Sequence, residues 1–560
     1  MNRARGAEVL AAALVLIAAT LAVTWPLAPH FATHATGHWD SFFSIWRLAW
    51  IADSVRSRDL FLFDAPIFYP QARALALSDA VLLPGLVFAP LRYLGVTPTV
   101  VYNLALLAGF VTSGLAMFVL VRSLTGRAAA GMVSALIFAF APYRLDHIDH
   151  LEMQMAAWMP AALWWWHRAV DRGEAGSAAA AAGGVALQWL SCIYYGLLFA
   201  PFLGVMIAAE AFSVRRERRR RVVVAVAIAA VVGMAVVALY SMPYLANREA
   251  TGDRDAAAVH AYSATLTSYL GVSPHNALYG SWLSRFGGHE SRLFPGMAAT
   301  ALAVLGLFTG PWTRRRWGYL AAGVLAVDLS LGANGILFPV LREWVLPFRG
   351  LRAPGRAGVM ALLVVAVFAG FGVAFICARL ATARRATLVA AALSAVLLVE
   401  YRHPPDLWEA PPPTDAAVLG VARGRVVAEM PMAPPERLDL SVDASYMIDR
   451  IGAWPLLVNG YSGFYPHEYR VTADRVRAFP DERAIRELAR RGVHVVAVHE
   501  RRYGERYSAI VTELETRTEV ERAGEYGEVG KRVAVFQVMK NQGSGTGDQG
   551  KIALSLNPDP

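Results

Sequence analysis

The sequence predicts a polytopic α-helical membrane domain of about eleven spans, followed by a small soluble α/β domain. Three observations carry that prediction. Hydrophobic residues make up 56% of the 560-residue chain and charged residues only 17%, too apolar for a soluble protein of this length. Apolar runs able to cross a hydrocarbon core roughly 30 Å thick recur between residues 7 and 401. Beyond 402 the chain becomes charged and takes on the periodicities of soluble strands and helices.

The first run, 7–29, has no charge after Glu8 and follows Arg3 and Arg5. The positive-inside rule keeps those arginines in the cytoplasm, so the helix delivers His38, Trp39 and Asp40 to the external face. It reads as a retained signal anchor, because the run is long for a signal peptide and no small-x-small cleavage site follows. Further spans are expected at 98–121, 129–143, 154–170, 176–192, 194–212, 222–241, 297–311, 317–333, 356–378 and 386–401. Threaded alternately, they place Arg122 and Arg127, the 167–172 segment, the arginine run 215–221, Arg314–Arg316 and the 379–385 segment on the cytoplasmic side.

The long segments then lie outside: 30–97, 144–153, 242–296, 334–355 and everything after 402. In the first of these, FFSIWRLAWIADSV and ALALSDAVLLPGLVFAPL read as helices on or dipping into the outer leaflet. The stretch 80–93 is either a span or a surface helix, and its Leu-Pro-Gly interruption favours the surface. The expected divisions are a membrane domain over 1–401, an external α/β domain over 402–540 and a disordered tail over 541–560. HPPDLWEAPPPTD reads as a linker, with strands at 425–431, 493–500 and 532–538 and helices in DERAIRELARRG and ERYSAIVTELET.

A net charge of +10 is concentrated in short loops, where it acts as a topology signal rather than a nucleic-acid surface. Cys192 and Cys377 both fall in apolar runs, which excludes a disulfide framework or a thiolate metal site. No Walker A, G-x-G-x-x-G, G-x-S-x-G or H-E-x-x-H motif occurs in a productive context, so no nucleotide cofactor is expected.

The first candidate for chemistry is Asp40, placed where membrane meets external water, with helix capping as its plainer role. Asp79 is a second isolated acid, read mainly as a cap for the helix that follows it. YRLDHIDHLEMQ packs Asp146, His147, Asp149, His150 and Glu152 into seven positions. On one helix Asp146, Asp149 and His150 would share a face, a donor set suited to a divalent ion such as Mg²⁺, Mn²⁺ or Zn²⁺. A solvated interfacial loop is the alternative. External cations include His275, Arg285, His289, Arg292, Arg349, Arg352 and Arg356, which suit a phosphate-bearing ligand or simply snorkel to lipid headgroups. Tyr194 and Tyr195 near the same face are substrate contacts or belt aromatics.

The segments HWDSFFSIWRLAW, FYPQARALALSD, ESRLFPG, LRAPGR and VNGYSGFYP look like those of a bacterial membrane-protein group often placed with the GT-C glycosyltransferases. With a signal anchor, an acidic first loop, some ten more spans and an external C-terminal domain, residues 7–500 resemble that superfamily. The resemblance implies inverting transfer of a sugar from a polyprenyl-phosphate donor to a glycan, lipid or protein hydroxyl outside a bacterial inner membrane. It makes Asp40 the general base, and Arg292, Arg352 or a metal on Asp146 and His150 the stabiliser of the leaving phosphate. One departure stands: this first loop carries a single Asp at 40 where several GT-C families have an acidic pair. The rival readings are a transporter or flippase of lipid-linked intermediates, with Asp328 and Glu210 as its sparse intramembrane charges, and an assembly scaffold.

Overall fold

A computed structural model describes residues 3–58, 61–411, 416–433 and 442–539. The tail expected over 541–560 lies outside the described residues. Every apolar run above contains a helix, beginning with Arg3–Val23 and ending with Ala383–Glu400. Local chemistry sets several boundaries. Pro98 opens Pro98–Thr125 after an extended Thr97, and Gly126, at φ 71°, closes it in the left-handed conformation glycine adopts without a Cβ penalty. The helix Arg216–Thr251 grows directly out of the arginine run and presents Val223, Ile228, Val231, Met234 and Leu239 at the surface, an apolar flank fit for lipid.

Six described helices are long and apolar enough to cross a membrane, or seven if the bent pair 314–334 and 337–344 is one span. Eleven spans is therefore more than length and composition supply. Trp158–Arg172, Ala175–Ser191 and Met297–Leu307 are helices of 15, 17 and 11 residues packed among the longer ones. Leu82–Tyr93 has 12 residues and so extends about 18 Å at 1.5 Å per residue, too short for a crossing.

The first-loop helix Trp39–Arg56 corrects one expectation. It does not lie in the leaflet: Phe42, Phe43, Ile45, Trp46, Leu48 and Ile51 are all buried, and protein covers the helix. Trp50 and Trp46 meet Trp454 edge-on at centroid distances of 5.1 and 6.0 Å, and the Trp454 indole donates to Asp53 at 3.1 Å. Apolar residues recur all around the helix, so there is no polar face to turn toward water.

The described part of the linker, up to residue 411, is tied down more firmly than its prolines imply. Strand β1, His34–Thr36, pairs antiparallel with β2, Leu407–Glu409, so the start of the C-terminal segment is tied to the first loop. Trp408 then packs against Trp39 with centroids 4.9 Å apart.

All three expected strands form: β3 at Val426–Met430, β5 at Val495–His499 and β7 at Val533–Val538. Two more, β4 at Leu456–Leu457 and β6 at Val520–Tyr526, complete a five-stranded sheet of order β4-β3-β5-β7-β6. The β4, β3 and β5 strands are parallel, while β7 and β6 run antiparallel. The expected helices are present at Glu482–Arg490, capped by Asp481 on the Ala484 amide, and at Tyr507–Glu515. The carboxyl ends of the parallel strands, where open α/β sheets place their functional groups, lead to Glu429, His499 and the Asn459–Tyr461 turn.

Candidate active site

Asp40 is the second residue of Trp39–Arg56, but it does not cap it. His38 is the cap: its Nδ1 accepts from the Asp40 amide at 3.2 Å, which leaves the Asp40 carboxylate free to point elsewhere. Asp40 Oδ1 accepts from the Tyr461 hydroxyl at 3.1 Å, and Oδ2 lies 3.0 Å from His38 Nδ1 and 3.5 Å from His150 Nε2. Three parts of the chain thus meet on one carboxylate: the first loop, the second acidic loop and the C-terminal sheet. Tyr461 was not singled out from sequence as a site residue, although it lies in VNGYSGFYP; only the folded sheet brings it here.

The second loop is not the single helix that would align Asp146, Asp149 and His150. Pro142–Asp146 stops, a turn follows, and a new short helix begins at Leu151. The break divides the expected trio. Asp149 Oδ2 faces His38 Nδ1 at 3.2 Å and His150 Nδ1 at 3.3 Å, joining the Asp40 group. Asp146 turns to His147, His289 and Arg292, whose Nη1 is 3.4 Å from Asp146 Oδ2.

Charges balance across this cluster. Burial opposes ionisation of Asp40, yet His150 and His38 hold its carboxyl below the usual value. Asp149 is also lowered: burial works against it, but His150 outweighs that. Burial likewise works against protonated His150, and the two carboxylates nevertheless push it up to about 10. Burial would lower His38, but its bond to Asp40 and the carboxylate charges raise it.

The same atoms fit a divalent cation. His38 Nδ1 faces carboxylate oxygens of Asp40 and Asp149 at 3.0 and 3.2 Å. A cation bound among them would take the place of the Nδ1 proton. One ligand atom from each of His38, Asp40 and Asp149 lies within 4.8 Å of the others. Two carboxylates with an imidazole suit Mn²⁺ or Zn²⁺ better than Mg²⁺, which prefers oxygen.

The remaining sequence candidates scatter. Arg356 is buried against Glu290 through two bonds of 2.8 and 3.1 Å, with its guanidinium 4.7 Å from the Tyr194 ring centre, so it does not snorkel. Arg352 stacks 5.1 Å from the Tyr262 ring centre, and its backbone N–H donates to the Tyr194 hydroxyl at 3.0 Å. Tyr195 is fully buried, which rules out a lipid-facing belt role. Asp79 caps a helix other than the one expected: Leu82–Tyr93 has no side-chain cap, while Asp79 Oδ2 accepts from the Ile193 amide at 2.6 Å, the first residue of Ile193–Glu210. Its carboxyl is pushed up to about 7, chiefly by burial and then by Glu152. Arg47, absent from the sequence candidates, donates to the Asp79 carbonyl and pairs with Glu152 at 3.0 Å.

The two charges considered for a transport path are engaged in structural bonds. Asp328 accepts from the Ile336 and Leu337 amides at 2.8 Å each, and Glu210 binds His167 at 2.9 Å and Arg315 at 2.6 Å.

The chain is similar in fold to solved membrane glycosyltransferases. The archaeal oligosaccharyltransferase AglB from Archaeoglobus fulgidus, in complex with an inhibitory peptide and a dolichol-phosphate, aligns over 96% of this chain and 74% of its own at 13% identity and TM-score 0.49. ArnT from Cupriavidus metallidurans in the apo state aligns over 93% and 97% at 14% identity and TM-score 0.44. The same protein bound to undecaprenyl phosphate aligns over 96% and 98% at 13% identity and TM-score 0.40. At these identities and TM-scores the likeness transfers no residue roles. No family model matches the chain, and no curated protein matches it by sequence.

Proposed function

We propose that the protein is an inverting membrane glycosyltransferase that moves a sugar from a polyprenyl-phosphate donor to an acceptor hydroxyl, with Asp40 as general base. The observation that supports this reading is the Asp40 carboxylate itself, held ionised at the junction of both external loops and the C-terminal sheet. Tyr461 fixes one oxygen and the imidazoles orient the other.

In the reaction, Asp40 takes the proton of the acceptor hydroxyl as that oxygen bonds to the anomeric carbon. The bond from that carbon to the phosphate oxygen breaks on the opposite face, and the electron pair leaves with the polyprenyl phosphate. General-base assistance of this kind contributes about 10²- to 10⁴-fold. Protonated His150 keeps positive charge beside the reacting centre, and Arg292 on the neighbouring rim offers its remaining N–H groups to the departing phosphate. His38, Asp40 and Asp149 would hold a divalent cation, which supplies Lewis-acid stabilisation of developing charge when bound. Arg352 and Arg356 support this rim through Tyr262, Tyr194 and Glu290. On this reading the protein lies in a bacterial inner membrane with the C-terminal sheet outside.

The test is incubation of the purified protein in nanodiscs with polyprenyl-phosphate sugars and a panel of glycan, lipid and peptide acceptors, with the product's anomeric configuration read by NMR. Inverted product with release of polyprenyl phosphate supports the reading. Retained configuration, or passage of intact donor across the bilayer without bond cleavage, contradicts it.

A further inference from the structure

Beside the Asp40 group lies a second cluster that the proposed reaction does not use as a unit. One ligand atom from each of Asp146, His147 and His289 lies within 4.8 Å of the others. His147 is fully buried, and its ring stacks on His289 with centroids 4.3 Å apart.

The tautomer of His147 is fixed by its surroundings. Its Nδ1 is 3.0 Å from the Tyr143 carbonyl oxygen, which can only accept, so Nδ1 carries a proton and Nε2 is the nitrogen left to bind a metal. That Nε2 is buried and has no hydrogen-bond partner. The charged group nearest to it in these contacts is Glu290 Oε2 at 3.5 Å, an oxygen already accepting from Arg356. A neutral Nε2 facing a carboxylate is unfavourable until a positive charge, a proton on Nε2 or a metal ion, comes between them. His289 repeats the pattern in milder form: its Nε2 faces the Asp146 carbonyl oxygen at 3.1 Å, which leaves Nδ1 as the ligand nitrogen. Orientation of an imidazole by a carbonyl on its far nitrogen is the usual support for a metal-binding histidine.

We propose that Asp146, His147 and His289 form a second divalent-cation site, for Zn²⁺, that clamps the 144–154 loop to the 286–296 loop. Two imidazoles and one carboxylate are a zinc donor set with a fourth position open, and they disfavour Mg²⁺. Asp146 keeps Arg292 as its outer partner, and Glu290 with Arg356 closes the inner side. The site does not depend on the donor, the acceptor or the role of Asp40.

The experiment counts metal on the full-length protein in nanodiscs after EDTA treatment and dialysis against Zn²⁺ alone. In the Asp40→Asn background, which removes a carboxylate from the neighbouring cation site, the protein is expected to retain one zinc equivalent that both His289→Ala and Asp146→Asn lose. His289 is exposed, so its truncation leaves the packing in place. Co²⁺ exchanged into the Asp40→Asn protein should give the intense visible bands of a four-coordinate site, and these should vanish when His289→Ala is added. An Asp40→Asn protein that binds no zinc, or one that keeps its zinc content when His289→Ala is added, would each overturn the proposal.

Discussion

Replacing Tyr461 with Phe removes one hydroxyl and leaves its ring contacts, since the ring meets Phe43 at 5.8 Å and Tyr465 at 6.4 Å between centroids. The lost bond is the 3.1 Å donation to Asp40 Oδ1. A hydrogen bond to a charged group is worth about 1.5–3 kcal/mol, or about 10- to 150-fold in rate if it acts wholly on the reacting state. Asp40 keeps His38 and His150, so the lower end applies and kcat should fall about 10-fold. The bond also favours the charged carboxylate, so its loss should move the acid limb of the pH–rate profile upward by about one unit. Sugar transfer in nanodiscs across a pH series, with donor binding measured separately, reads both effects. A Tyr461→Phe protein with the parent's kcat and acid limb would refute the link between the C-terminal sheet and Asp40.

In the sheet, Glu429→Gln strands the buried Arg450, which now makes bonds of 2.5 and 3.0 Å to that carboxylate, and should cost about 3–5 kcal/mol by thermal or denaturant unfolding. Burial works against Glu429 ionisation, but Arg450 and His499 hold its carboxyl at about 2. The folded value lies below the unfolded one, so this contribution is present above about pH 4.5 and is lost as pH falls toward 2. Glu429→Gln should lose that part of the acid dependence. Asp79 runs the other way: folding raises its carboxyl to about 7, so its contribution favours the fold below about pH 4 and declines as pH rises through 7. Asp79→Asn should flatten the melting temperature between those limits, and an unchanged slope would show that Asp79 is ionised throughout.

Much of the architecture follows from pattern. Twenty-residue apolar runs read as helices in lipid, and RVVAEMP and VHVVAVHE, short and rich in valine, read as buried strands. Leu456–Leu457 and VERAGEY were not legible, because a two-residue strand has no period and β6 is a polar edge. Nor was the 34–36 to 407–409 ladder, since pairing across so many residues is a tertiary event with no local signature. The density of acids and histidines in 146–152 marks the loop that meets Asp40, while helical spacing groups Asp146 with Asp149 and His150, which the break in the helix separates. The turn after Asp146 is what sends Asp149 and His150 to Asp40 and leaves Asp146 with His289. His38 was visible in the sequence, but its exchange of roles with Asp40 as cap depends on backbone geometry.

The central claim is that Asp40 is a base rather than a structural acid, and Asp40→Asn tests it most directly. Asn keeps the size and an acceptor oxygen for Tyr461 while removing the proton-accepting carboxylate. With labelled polyprenyl-phosphate sugar in nanodiscs, turnover should fall by at least about 10²-fold while folding and donor binding match the parent. Turnover equal to the parent's would contradict the account and reduce Asp40 to a member of the helix's first turn.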